Sequence, residues 1–174
     1  TIIEGLPKET IDQVYADGFC MPEDVGITEP IPNHYFILKN NRTSALVFYN
    51  PVLERIERIE KSPAYRITPR NAEQVFALHA IRNPKVKLVT MQGIAGTGKT
   101  LLALASAIHQ RKNYTQIFLA RPIIPLGNRD IGYLPGDVDD KIGPYMQPLF
   151  DNLSVIKQKF KQQSKEFEKR FLQL

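Results

Sequence analysis

An α/β fold, with a parallel sheet and flanking helices in the later part of the chain and a small β-rich segment ahead of it, is predicted by three observations. Apolar and aromatic runs of strand length crowd into residues 34–49, and the composition changes near residue 62. Beyond that point "VKLVTM", an alanine- and leucine-rich stretch and "QIFLA" follow one another within about 40 residues, the strand–helix–strand order of a right-handed parallel crossover. A glycine-rich turn joins the first of these strands to the helix. With 174 residues, 43% of them hydrophobic, the chain can bury a core of one medium domain.

Residues 1–62 are expected to form the β-rich segment or linker, and residues 63–174 the first part of the α/β domain. In "HYFILKNNRTSALVFYNP" two strands, 34–39 and 43–49, are joined at Asn40 and Asn41, where asparagine's tolerance of positive φ suits a hairpin. Residues 20–33, with Pro22, Gly26, Pro30 and Pro32, resemble an irregular connection. "VLERIERIEK" fits either a third strand or a short helix. After Ser62, Thr68 can cap a helix with Pro69 in its first turn, whose stripe of Ala72, Val75, Phe76 and His79 runs until Asn83 and Pro84 stop it. A buried strand at 86–91 follows, then a helix from Thr100 to about Gln110 built from strong helix formers, then the strand at 116–120.

The turn between strand and helix carries the chemistry. Gly93-Ile94-Ala95-Gly96-Thr97-Gly98-Lys99-Thr100 satisfies the Walker A pattern of glycine, four residues, glycine, lysine and a hydroxyl residue. Glycines let the backbone wrap so that successive N–H groups converge on one phosphate, and the following helix adds the positive end of its dipole. Lys99 and Thr100 are the expected catalytic pair, Lys99 reaching the β- and γ-phosphates of ATP and the Thr100 hydroxyl ligating Mg²⁺. Residues 93–100 with Leu101 are the expected nucleotide contacts. The architecture so implied is the parallel sheet of P-loop NTPases, incomplete within these residues. The competing interpretation is a glycine-rich turn with no ligand.

No run approaches the ~18 apolar residues of a membrane span, and the first residues lack the order of a secretory signal, so a cytoplasmic location is expected. A lone Cys20 leaves no intramolecular disulfide, and His34, His79 and His109 lack ligand spacing. The formal net charge of +5 is concentrated late, in "IKQKFKQQSKEFEKRF". That run suits a phosphate backbone, or equally an amphipathic helix with Ile156, Phe160, Phe167, Phe171 and Leu174 on one face and solvated lysines on the other.

"ITPRNAEQVFALHAI", "GIAGTGKTLLALA" and "ARPIIPLGNRDIGYLPGDVDDKIGPYMQPLFDNL" together resemble the PhoH-like ATPases, relatives of superfamily 1 helicases, over residues 66–153. The earlier third is similar to the stretch that follows a PIN nuclease domain in some of these proteins. The resemblance implies ATP hydrolysis by the intact protein, coupled to remodelling of RNA or another nucleic acid, and assembly into a homo-oligomeric ring. It also implies that Gln74, with Asn71 on the same helical side, meets the adenine edge; both are alternatively polar flanks of a helix start. Arg121, at the end of the second strand, suits phosphate, nucleic acid or a structural carboxylate.

The roughly 20-residue loop after Arg121 is too long for an idle connection, and its Arg129 and Tyr133 suit single-stranded RNA. Asp137, Asp139 and Asp140 follow no apolar strand and are expected at a helix start rather than on a catalytic metal. No apolar strand ending in Asp-Glu, the Walker B signature, occurs after Thr100, so these 174 residues are expected to hold ATP or ADP with Mg²⁺ without turnover by themselves. Two alternatives remain, a nucleotide-binding assembly module without hydrolysis and a small-molecule kinase.

Overall fold

The computed structural model describes residues 1–120 and 138–159, with 138–145 described for backbone alone. The chain divides into two compact units. The first comprises Thr1–Ser62 and Thr68–Asn83, the second Pro63–Ile67 and the chain from Pro84 onward. Their compositions differ in sign: eight basic against eleven acidic side chains in the first, fifteen against seven in the second.

The first unit is a five-stranded mixed sheet, in the order β1-β3-β4-β5-β2. Its elements are β1 (Ile2–Ile3), α1 (Lys8–Asp17), β2 (Phe19–Cys20), β3 (Tyr35–Lys39), β4 (Ser44–Asn50), β5 (Arg55–Arg58) and α2 (Ala72–Arg82). Only β1 pairs in parallel, with β3; the other pairs are antiparallel. The two-fold alternation along each strand sends successive side chains to opposite faces. On one face Phe36, Leu38, Ala45, Val47, Tyr49 and Ile56 enclose Ile11 and Val14 of α1. On the other, Phe48 and Ile59, with Tyr35 and Leu46, receive Val75 and Phe76 of α2. Each fully buried aliphatic side chain contributes about 1.5–3 kcal/mol. Helix α1 is not among the elements expected from sequence, although Ile11, Val14 and Tyr15 have helical spacing.

The expected hairpin is present as β3 and β4, with Tyr35 opposite Phe48 and Lys39 opposite Ser44. Its turn works differently from the expectation: neither Asn40 nor Asn41 has a positive φ. Instead the Asn40 Oδ1 accepts bonds from the Arg42 N–H (2.8 Å), the Thr43 N–H (2.7 Å) and the Thr43 hydroxyl (3.1 Å), so the side chain closes the loop in place of a left-handed backbone. The ambiguous "VLERIERIEK" resolves as strand β5, paired with β4.

Helix α2 starts later than expected, and Thr68 does not cap it. Asn71 is the N-cap; its Oδ1 accepts the Gln74 N–H at 2.9 Å, and the Gln74 Oε1 accepts the Arg70 N–H at 2.8 Å. These two amides set the start three residues beyond Thr68. The buried face of α2 also carries a polar contact. The His79 Nδ1 lies 3.0 Å from the Tyr35 hydroxyl, and its ring centroid lies 4.3 Å from that of Phe48.

Burial lowers the pKa of His79, helped by the Arg82 charge and opposed by Glu57, while burial raises Tyr35 to about 12. For Glu57 burial acts upward, but bonds from Asn50 and Arg55 prevail and lower it.

In the second unit, α3 (Lys99–His109) buries Leu102, Leu104, Ala105, Ser106 and Ile108 and packs against α4 (Val138–Gln158), where Ile156 is fully buried. Helix α4 begins where "GDVDDKIGP" was expected to start one. It ends at Gln158, and the lysine run from residue 160 lies outside the described residues. A tight turn over Ala64–Ile67 closes by bonds of 3.0 and 2.8 Å, with Tyr65 and Arg66 both left-handed at φ 44° and 65°.

The parallel strands expected at 86–91 and 116–120 are a correction: among the described residues neither segment joins a sheet, and Leu88 and Phe118 are 80% and 86% exposed. A parallel strand is stable only with paired neighbours and both faces covered. The described residues of this unit supply no such neighbour.

Two outcomes follow for stability. A histidine whose folded pKa is depressed stabilises fully above its unfolded value near 6.5 and loses that contribution as pH falls through the folded value. Urea denaturation from about pH 7.5 down to about 5 is therefore expected to show declining stability, with a shallower decline in His79→Gln; an unchanged slope would remove His79 as the cause. The Ser106 hydroxyl, fully buried in α3, has no hydrogen-bond partner among the described residues. Ser106→Ala is expected to raise the unfolding free energy by about 1 kcal/mol; a loss of stability would show that the hydroxyl is satisfied.

Candidate phosphate-binding loop

Gly93 to Thr100 lie within the second unit, at the N-terminus of α3. Gly96 and Gly98 have φ of 80° and 85°, the left-handed region where a Cβ is strained. Gly98 is the N-cap of α3, and its carbonyl accepts the Leu102 N–H at 2.9 Å, so the loop's last reversal is also the helix's first turn. The chain needs glycine there because a helix must begin directly from a reversed backbone.

Lys99 closes the loop on itself. Its Nζ donates to the Gly93 carbonyl (2.9 Å), the Ile94 carbonyl (2.7 Å) and the Thr97 hydroxyl (3.2 Å). The Thr97 hydroxyl donates in turn to the Ile94 carbonyl at 2.9 Å. A Cβ on Gly93 would stand 3.4 Å from the Thr97 Oγ1 and 4.0 Å from the Lys99 Nζ, filling the space between loop and ammonium. The loop thus joins a positive charge, a hydroxyl and the amino end of an 11-residue helix around a concavity that side chains leave clear. Ala95 and Thr100 are exposed, Ile94 is 81% exposed, and Leu101 is half-buried behind them. This donor set fits a phosphate group, and the Thr100 hydroxyl at the helix start fits a hard cation bound to one.

Asn71 and Gln74 belong to the first unit, where both side-chain amides take part in the start of α2. Arg121, Arg129, Tyr133 and Asp137, and the side chains of Asp139 and Asp140, lie outside the described residues. Sequence reasoning passed over Tyr65, whose N–H donates to the His109 Nδ1 at 3.3 Å while the Arg111 guanidinium stands 5.2 Å from its ring centroid, behind the helix that carries the loop. Its signal is the left-handed backbone, invisible in residue types. Among the described residues no helix is long and apolar enough to cross a membrane.

An α/β chain with a mixed sheet and a glycine-reversed, lysine-closed loop at a helix N-terminus is of the P-loop class. More particularly, residues 66–173 match the family described as PhoH-like protein, and the chain belongs to that family. It is 38% identical over 159 residues to Protein PhoH2 of Bacillus subtilis (strain 168), covering 87% of this chain and 36% of that relative. Protein PhoH2 of Mycolicibacterium smegmatis is 32% identical over 149 residues, covering 83% of this chain and 33% of its own length. A PhoH-like protein of Mycobacterium bovis is 52% identical over 63 residues, or 35% of this chain and 18% of the relative. The chain therefore spans about a third of the length of the PhoH2 relatives. No solved structure matches it at a significant level.

The cap at Asn71 gives a separate check on α2. Asn71→Ala is expected to cost about 1 kcal/mol, read by chemical denaturation, and Asn71→Asp to retain most of it because a carboxylate caps equally well. Equal losses in both would show that the cap is not the side chain's contribution.

Proposed function

We propose that the chain binds ATP or ADP with Mg²⁺ through residues 93–101, as the nucleotide-holding part of an ATPase that hydrolyses ATP in the whole protein. The observation that carries this reading is the Lys99 ammonium, held over the loop by the Gly93 and Ile94 carbonyls beside two left-handed glycines. Phosphate oxygens are stronger acceptors for an ammonium than neutral carbonyls, so Lys99 can exchange its loop partners for the β- and γ-phosphates. Backbone N–H groups and the dipole of α3 supply further positive potential without a side chain, and the Thr100 hydroxyl offers an oxygen to Mg²⁺. When bound, Mg²⁺ neutralises charge developing on the transferred phosphoryl group.

Family resemblance supports Gln74, with Asn71, as the adenine contact. It also supports coupling to RNA or another nucleic acid through Arg121, Arg129 and Tyr133, and a ring-shaped assembly in the cytoplasm. The fifteen basic against seven acidic side chains of the second unit favour a phosphate-backbone partner.

Calorimetric titration of Mg·ATP tests the central reading. Lys99→Ala is expected to weaken binding at least tenfold, the scale of one lost charge-assisted contact of about 1.5–3 kcal/mol. Thr100→Val is expected to weaken Mg·ATP more than ATP in chelator. Unchanged affinity in Lys99→Ala would refute the phosphate assignment.

A further inference from the structure

Helix α2 lies inside the family-matched stretch 66–173, yet the residues it rests on lie ahead of it: Tyr35, Leu46, Phe48 and Ile59. The likeness to the Bacillus PhoH2 protein extends to 87% of the chain and so reaches into this earlier segment, which the family match leaves out. Two polar contacts tie α2 to that segment within the first unit. Near its middle the His79 Nδ1 meets the Tyr35 hydroxyl at 3.0 Å; at its end the Arg82 Nη2 donates to the Ser62 hydroxyl at 2.8 Å. The apolar seat of Phe48, Val75 and Phe76 is non-directional and tolerates small slips of the helix. A hydrogen bond near 3 Å does not, since it weakens steeply with distance and angle. The Tyr35 ring also lies 5.0 Å from that of Phe76, and the His79 ring rests on Phe48, so rotation of α2 about its axis is opposed as well as sliding.

Gln74 stands five residues before His79 on the same rigid helix, about 7.5 Å along the axis, and its amide is oriented by Asn71 and Arg70 at the cap. We infer that Tyr35 is a positioning residue, which through its hydrogen bond to His79 sets the placement of α2 and hence of the Gln74 amide for the nucleotide base. The β-rich segment is thereby part of base selection rather than a spacer. The inference rests on the reading of Gln74 as the adenine contact.

The test uses the 174-residue chain and two ligands, ATP and inorganic tripolyphosphate, each with Mg²⁺, titrated calorimetrically. Tripolyphosphate engages the loop but offers no base. Tyr35→Phe, which keeps the ring packing, and His79→Phe, which loses the same bond from the other side, are each expected to lower ATP affinity roughly fivefold, the scale of one hydrogen bond. Tripolyphosphate affinity is expected to stay within about twofold, and the double variant to be little worse than either single one. ATP affinity unchanged in both variants overturns the inference; so does an equal fall for ATP and tripolyphosphate, which would mark general loosening. Gln74→Ala separates the two layers. If it leaves ATP affinity intact, the base contact falls and the inference with it, whereas a loss in Gln74→Ala with none in Tyr35→Phe leaves the base contact standing and removes only the positioning role.

Discussion

The period-two alternation along β4 is the constraint on which the first unit depends. Ala45, Val47 and Tyr49 point to one helix, Leu46 and Phe48 to the other, so this strand supplies side chains to two separate clusters. A slip of one residue in its pairing with β3 would exchange the two sets and put Phe48 against α1. The short hairpin guards that register. Asn40, with three bonds from its side-chain oxygen, fixes where β3 ends and β4 begins, and the outer strands β1 and β2 need be only two residues long because little rests on them.

In the second unit the controlling feature is local. Two left-handed glycines bring the backbone round, and Lys99 bonds the loop it belongs to, so much of its geometry is internal to residues 93–99. Behind it the turn at Tyr65 and Arg66 holds two non-glycine residues in a backbone region that costs of order 1–3 kcal/mol each. That cost is offset by contacts of Tyr65 with His109 and Arg111 at the far end of α3. The helix bearing the loop is thus constrained at both ends, by glycine at one and by an aromatic-cation contact at the other.

Charge divides along the same line as packing. The acidic first unit and basic second unit cannot serve a polyanion equally, and the phosphate chemistry of the loop lies with the basic one. The polar contacts of α2 matter for a different reason: they are directional in an otherwise apolar seat. They belong to side chains 44 residues apart in sequence, Tyr35 and His79, which no local pattern associates.

What the sequence by itself determined is whatever depends on neighbours along the chain. The Walker A loop is set by glycine's backbone freedom and by a lysine that reaches back six residues, the hairpin by alternation, and α3 by helix propensity; each was legible at nearly its observed bounds. Only the tertiary structure decided what depends on distant partners. Asn71 displaced Thr68 as the cap because the backbone chose between two good caps, and α1 formed because a sheet face was there to bury Ile11 and Val14. The segments 86–91 and 116–120 have the apolar content of strands yet join no ladder among the described residues, since hydrogen bonding in a sheet belongs to the pair and not to the strand.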